Sequence, residues 1–284
     1  RSTLFPYTTL FRSGSAGHHG ASIGGSDAVA ARRPRPRPVY DDPVSAIHFV
    51  RHGRTVLNEQ RRTQGSSDSP LTPEGRRGAR ATAEHLGRLP LARAYLSPQG
   101  RVGRTADILL AGRPDVERTA LDGLREYDYG IYDGGPDEEM LRALDPARHL
   151  PGVLSGAHPG APGGIGAADY LAHVDAALAR IVADLREDAR AGRPDARVLV
   201  VSHGMTLMTL LGRWIGVEIF SMAPMANCSV TTVELDPDRP REPTLVSWAV
   251  DPGDQGVTFP SRDLRPAFEG VALVPIDLSR PEGP

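Results

Sequence analysis

The chain contains no lysine: all 33 of its basic residues are arginine. That excludes a catalytic lysine, a Schiff base and a phosphate loop of the G-x-x-x-x-G-K form. Arginine does not release its proton, so every cation here is fixed and suited to phosphate or carboxylate. The single cysteine, Cys228, cannot form an intramolecular disulfide. This fits a reducing compartment, so a cytoplasmic location is expected. No apolar run approaches the roughly 18 residues that cross a bilayer, and no membrane partner is expected. A formal net charge of -2 supplies no broad basic field, which argues against nucleic acid. With 39% hydrophobic and 24% charged residues, the composition is that of a globular protein.

What is present begins with an atypical leader. Arg1 to Ser13 resembles translated adapter sequence, and Arg32 to Pro38 alternates Arg and Pro, which favours solvated extended chain. Residues 1–43 are therefore expected to be a disordered tail, partly artefactual. The folded domain is expected over 44–250, with a variable segment at 133–166 rich in Gly, Pro and His. A Pro-rich extension, 251–284, should wrap the surface or fray.

Strands are read at 46–50, 92–96, 116–121, 197–202, 229–235 and 244–250. Helices are read at 73–86, 101–110, 138–144 and 205–215, and in a long run from Ala167 whose apolar residues recur at helical spacing. Thr72 reads as an N-cap, Pro73 as the first helical residue and Gly87 as the stop. Strands alternating with helices imply a three-layer α/β/α sandwich around a mostly parallel sheet.

Two His-Gly pairs carry the chemistry. His52-Gly53 follows the first strand and His203-Gly204 follows a later one. In α/β sheets the strand ends hold ligands. Imidazole serves nucleophilic and proton-transfer work near neutral pH, and glycine lets the backbone approach a ligand. Group transfer through histidine needs a neutral ring, fixed donors around a tetrahedral anion and an acid for the leaving group. Arg51, Asn58, Arg101, Glu126 and His203 supply those types. Each alone has a blander reading as an ion pair, a cap or a packed side chain; their ordered co-occurrence gives the signal.

The ordered motifs FVRHGRTVLNEQRRTQGSSDSPLTPEG, LSPQGRVGRTA, LREYDYGIYDG, VLVVSHG and Asn227-Cys228-Ser229 resemble the histidine phosphatase superfamily, phosphoglycerate mutase-like branch. The resemblance spans about residues 46–235 and implies a phosphoglycerate mutase-like fold. It implies that His52 is the nucleophile that becomes phosphohistidine and that Arg51, Arg101 and His203 hold the phosphoryl group. Asn58 assists them, and Glu126 is the proton donor. Gln64, Gly65, Gly204 and Met205 complete the substrate-binding set, and segment 133–166 faces the substrate. No metal and no cofactor are implied. Departures from the family pattern fall at Gly100, Arg104, Tyr132-Asp133 and Ile165-Gly166. Arg104 either extends the anionic pocket or faces water. His149 and His158 lie in the variable segment, where the reading as packed histidines is favoured over substrate contact.

The expected function is a metal-independent phosphatase acting on a small phosphorylated metabolite. The alternatives are a cofactor-dependent mutase of the phosphoglycerate type and a non-catalytic phospho-ligand binder. Segment 133–166 offers only Arg142 and Arg148 against Asp133, Asp137, Glu138, Glu139 and Asp145, which favours phosphatase. A homodimer is the assembly that the sequence leaves open.

Overall fold

The computed structural model describes residues 44–87, 89–256 and 262–283. The tail reading of residues 1–43 lies outside them. Among the described residues six strands form one sheet: β1 (Ser45–Arg51), β2 (Leu91–Leu96), β3 (Glu117–Ala120), β4 (Arg197–Ser202), β5 (Val230–Leu235) and β6 (Thr244–Val250), in the order β3-β2-β4-β1-β5-β6. The first four are mutually parallel, and β5 runs against β1 and β6. Period-two alternation divides the side chains between two helical layers. Ile47, Phe49, Val198 and Val200 face α5 (Pro146–Leu154), α6 (Ala167–Arg190) and α7 (Gly204–Trp214). Val50, Leu199 and Val201 face α2 (Pro73–Leu86) and α3 (Gly100–Leu109). The three-layer sandwich expected from the strand and helix alternation is the architecture observed.

The caps follow the local chemistry. The Thr72 hydroxyl accepts from Gly75 N–H at 3.0 Å, and Pro73 sits where its missing N–H costs nothing. Two helices were not read from the sequence. The short α1 (Val56–Glu59) is closed by a reciprocal Thr55–Asn58 cap. In α5, Pro151 and Gly152 look like loop residues, but Asp145 caps Ala147 N–H at 3.1 Å and Leu150, Val153 and Leu154 are buried. Burial of that face overrides the poor helix propensity. The extension past β6 wraps rather than frays over its described residues: Phe268 stacks on Phe220 at 4.7 Å, and Val274 N–H bonds Leu154 O.

The register positions the site. Arg51 of β1 stands opposite Ser202 of β4, and Leu96 of β2 opposite Val201. The next residue of each strand, His52, Ser97 and His203, therefore emerges at the same carboxyl edge of three adjacent strands.

Candidate active site

His52 is 3% exposed, and its Nδ1 lies 2.9 Å from Gly53 O. A carbonyl only accepts, so Nδ1 carries the proton and Nε2 keeps its lone pair. Burial, then the charges of Arg101 and Arg51, hold the ring well below its ordinary pKa of 6.5, in the neutral form. The His203 ring lies 5.2 Å away, centre to centre. Its Nδ1 accepts from Arg101 Nε at 3.2 Å, so its Nε2 donates to Ser97 Oγ at 2.8 Å. His203 is also held neutral, first by burial and then by Arg101.

The two arginines differ. Arg51 donates from Nη1 to Met225 O at 2.7 Å, but its buried Nε has no partner. A Cβ on Gly204 would stand 3.4 Å from that nitrogen, so glycine leaves this face of the guanidinium uncovered. Arg101 is fully buried and engaged on every nitrogen. Nε meets His203, Nη1 donates to Ser67 O at 2.8 Å, and Nη2 donates to Gly65 O at 3.0 Å. It fixes the loop 64–67 as well as lending its charge to His52.

Glu126 lies across the start of α7. Its Oε2 accepts from Met205 N–H at 3.1 Å, while Oε1 accepts from Thr206 N–H and Tyr127 N–H; the Thr206 hydroxyl, which donates to Arg125 O at 2.6 Å, lies 3.1 Å from Oε1. A carboxylate here meets the positive end of the helix dipole. Two N–H donors and the Thr206 hydroxyl crowd Oε1, so Oε2, with one donor, is the oxygen with a free lone pair. Asn58 Oδ1 accepts from Thr55 N–H at 3.2 Å, which leaves its amide nitrogen as the remaining donor.

These groups border one cavity of about 460 Å³. Arg51, His52, Asn58, Gln64, Glu126, Gly204 and Met205 line it. Arg101, His203 and Gly65 do not; they form the layer behind. The Gln64 amide is engaged by Thr55 and Ser69. The Gly65 N–H goes to Asp133 at 2.7 Å, and a Cβ there would meet Tyr127 O at 2.5 Å. Met205 N–H is held by Glu126.

Several supporting residues had no individual signal in the sequence. Gln99 bridges Gly65 O, Glu126 N–H and Arg101, Thr105 accepts from Gly53 N–H, and Asn227 donates to His52 O. Three of the departures from the family pattern are accounted for. Arg104 neither widens the pocket nor faces water unpaired: it bonds Asp68 at 2.6 Å and Ser69 O at 2.8 Å. Gly100 leaves room for that same Asp68 carboxylate. Asp133 holds the loop by accepting from Gly65 and Ser67. His149, favoured above as a merely packed residue, lines the cavity with neither ring nitrogen partnered.

Fold and geometry define the class: a three-layer α/β protein with two neutral histidines flanked by two arginines at the carboxyl edge of its sheet. The chain belongs to the histidine phosphatase superfamily (branch 1), whose profile matches residues 47–250. A Salmonella choleraesuis protein described as probable phosphoglycerate mutase GpmB is 31% identical over 191 residues, covering 66% of this chain and 84% of that protein. The mycobacterial glucosyl-3-phosphoglycerate phosphatase is similar in structure at 26% identity and a TM-score of 0.59, over 73% of this chain and 99% of that one. Bacillus stearothermophilus YhfR aligns at 27% identity and a TM-score of 0.55, over 72% and 97%. Phosphatase and mutase names both occur among these relatives. Among the described residues no helix is long and apolar enough to cross a membrane.

Proposed function

We propose that the protein is a cytoplasmic, metal-independent phosphatase that hydrolyses a small phosphorylated metabolite through phospho-His52. The observation that carries this reading is the pairing of a neutral His52, its Nε2 lone pair free, with the partnerless buried Nε of Arg51 on the same cavity. A buried donor without a partner is costly, and a phosphoryl oxygen would satisfy it.

In the first step Nε2 attacks phosphorus in line, the P–O bond to the alcohol breaks, and Glu126 Oε2 gives its proton to the departing oxygen. In the second, water attacks phosphorus, Glu126 takes a proton from it, and the N–P bond breaks to release phosphate. Arg51 and the amide of Asn58 hold the phosphoryl oxygens. Arg101 and His203 act from the layer behind, by charge and by fixing the ring and the loop. Positioning and electrostatics dominate phosphoryl transfer, so two guanidiniums can serve without a metal ion.

The mutase reading would need cations to grip a second anionic end of the substrate. Arg142 and Arg148, the basic residues of segment 133–166, are exposed and do not line the cavity. Arg62 and Arg262 do line it but are engaged by Gly134 O and Asp145, and the lack of segment cations there supports hydrolysis. The test is labelling with a radioactive phosphoester. Base-stable, acid-labile label is expected on the parent and none on His52→Ala; equal label on both removes the nucleophile assignment. Phosphoglycerate interconversion that depends on a bisphosphoglycerate primer would establish the mutase instead.

A further inference from the structure

All five methionines of the chain, Met140, Met205, Met208, Met222 and Met225, line the cavity that holds His52. They come from α4 (Asp137–Ala143), α7 and the turn before β5. Leu144, Leu150, Phe220 and Leu264 lie among them. Methionine is unbranched and polarizable, and it adapts its shape to apolar ligands. This wall therefore suits an apolar group of variable outline rather than a fixed polar one.

The charged side chains of the lining beyond Arg51 and Glu126 already have partners. Arg62 donates to Gly134 O at 2.6 Å, Asp137 lies 3.6 Å from Arg61, and Arg262 lies 3.9 Å from Asp145. The polar residue on the apolar wall is His149, 5% exposed, its ring packed edge-on against Tyr127 at 5.2 Å. Burial lowers its pKa to about 4, so it is uncharged at neutral pH and offers no counter-ion. A carboxylate or second phosphate placed against the methionines and His149, away from the exposed Arg62 and Arg262, would be desolvated without compensation.

We propose that the substrate is a phosphomonoester of a bulky, uncharged, apolar alcohol, whose hydrocarbon part lies against the methionine wall while its phosphoryl group meets Arg51 and His52. This rests on the phosphatase reading above and narrows its substrate class.

The test uses n-alkyl phosphates from ethyl to octyl. Their leaving groups are chemically alike, so differences report contact with the wall and not the ease of P–O cleavage. kcat/KM should rise about threefold to fourfold per methylene until the cavity is full. 3-Phosphoglycerate and glucose 6-phosphate should fall below ethyl phosphate. In the double variant Met140→Gln, Met208→Gln the slope should flatten. The slope is read within one variant, so a change in overall rate does not enter.

A flat series in the parent, or a preference for 3-phosphoglycerate, overturns the proposal. n-Alkyl phosphonates, which have no P–O–C bond to cleave, give the same slope as dissociation constants by calorimetry. Chain-length-dependent phosphonate binding without labelling of His52 would sink the phosphatase reading and leave the apolar ligand class standing. Labelling of His52 with phosphonate binding independent of chain length would do the reverse.

Discussion

At one end of the cavity, polar groups answer one another. Arg101 engages Ser67 O, Gly65 O and His203, while Gln99 ties the same loop to Glu126. At the other end, methionine and leucine side chains meet the open space, and His149 has neither ring nitrogen bonded. The first region has a fixed shape because each buried polar group fixes the next. The second is held by non-directional contacts that tolerate several arrangements. Invariable chemistry and adjustable recognition are thus divided between strand ends and helices.

The sharpest way to break this contrast is within the polar end, between its two arginines. Arg51→Ala removes a donor aimed at the cavity and should lower turnover about a hundredfold or more, with a stability loss confined to the one carbonyl, Met225 O, that it leaves unpaired. Arg101→Met should lower both. It leaves Ser67 O and His203 Nδ1 without their donor, at a cost of about 1–3 kcal/mol each, so the urea midpoint should fall below that of Arg51→Ala. Equal midpoints would mean that Arg101 is not the structural member of the pair.

A smaller effect is expected from Glu126→Gln, read on the first chemical step by burst kinetics. The amide cannot deliver a proton, so phosphorylation of His52 by alkyl phosphates should slow much more than by p-nitrophenyl phosphate, whose phenolate leaves unaided. The amide also sets a donor against Met205 N–H, weakening the α7 cap by about 1 kcal/mol. Equal slowing for both leaving groups would make Glu126 a positioning residue.

The apolar end is probed by acid. His149 titrates at about 4 in the fold against 6.5 when free, because burial disfavours its charge. His48, inside the sheet, is lowered to the same value by burial and by Arg197. Between those values the unfolded chain binds protons that the fold refuses. Stability is therefore present above about 6.5 and lost as pH falls toward 4, by up to about 3 kcal/mol per ring. His149→Phe should narrow the gap between urea midpoints at pH 7 and pH 4.5; an unchanged gap would mean that this ring is not desolvated. The smallest effect is expected from deleting residues 1–43, which should leave melting temperature and kcat/KM unaltered. A fall in either would place part of the domain within them.

The same division explains what could be read from the sequence. Strand ends announce themselves, since an apolar run followed by Arg-His-Gly or Ser-His-Gly marks both a burial pattern and a turn. The parallel strands, α2, α3 and α7 follow from periodicity and caps. Gln99, Thr105 and Asn227 escaped because each acts through a hydrogen bond to a residue distant in sequence. For α5, Pro151 and Gly152 spoke against a helix that is held by its buried face. The methionines had no motif, because residues scattered from 140 to 225 become one surface only when the chain folds.

Their confinement has a practical side. Isotope-labelled methionine methyl groups would give five resonances, each reporting on this one cavity. Oxidation to the sulfoxide would turn its lining polar and chiral. Peroxide should therefore act as a reversible brake on large apolar substrates, repaired by sulfoxide reductases, while His52 remains chemically intact.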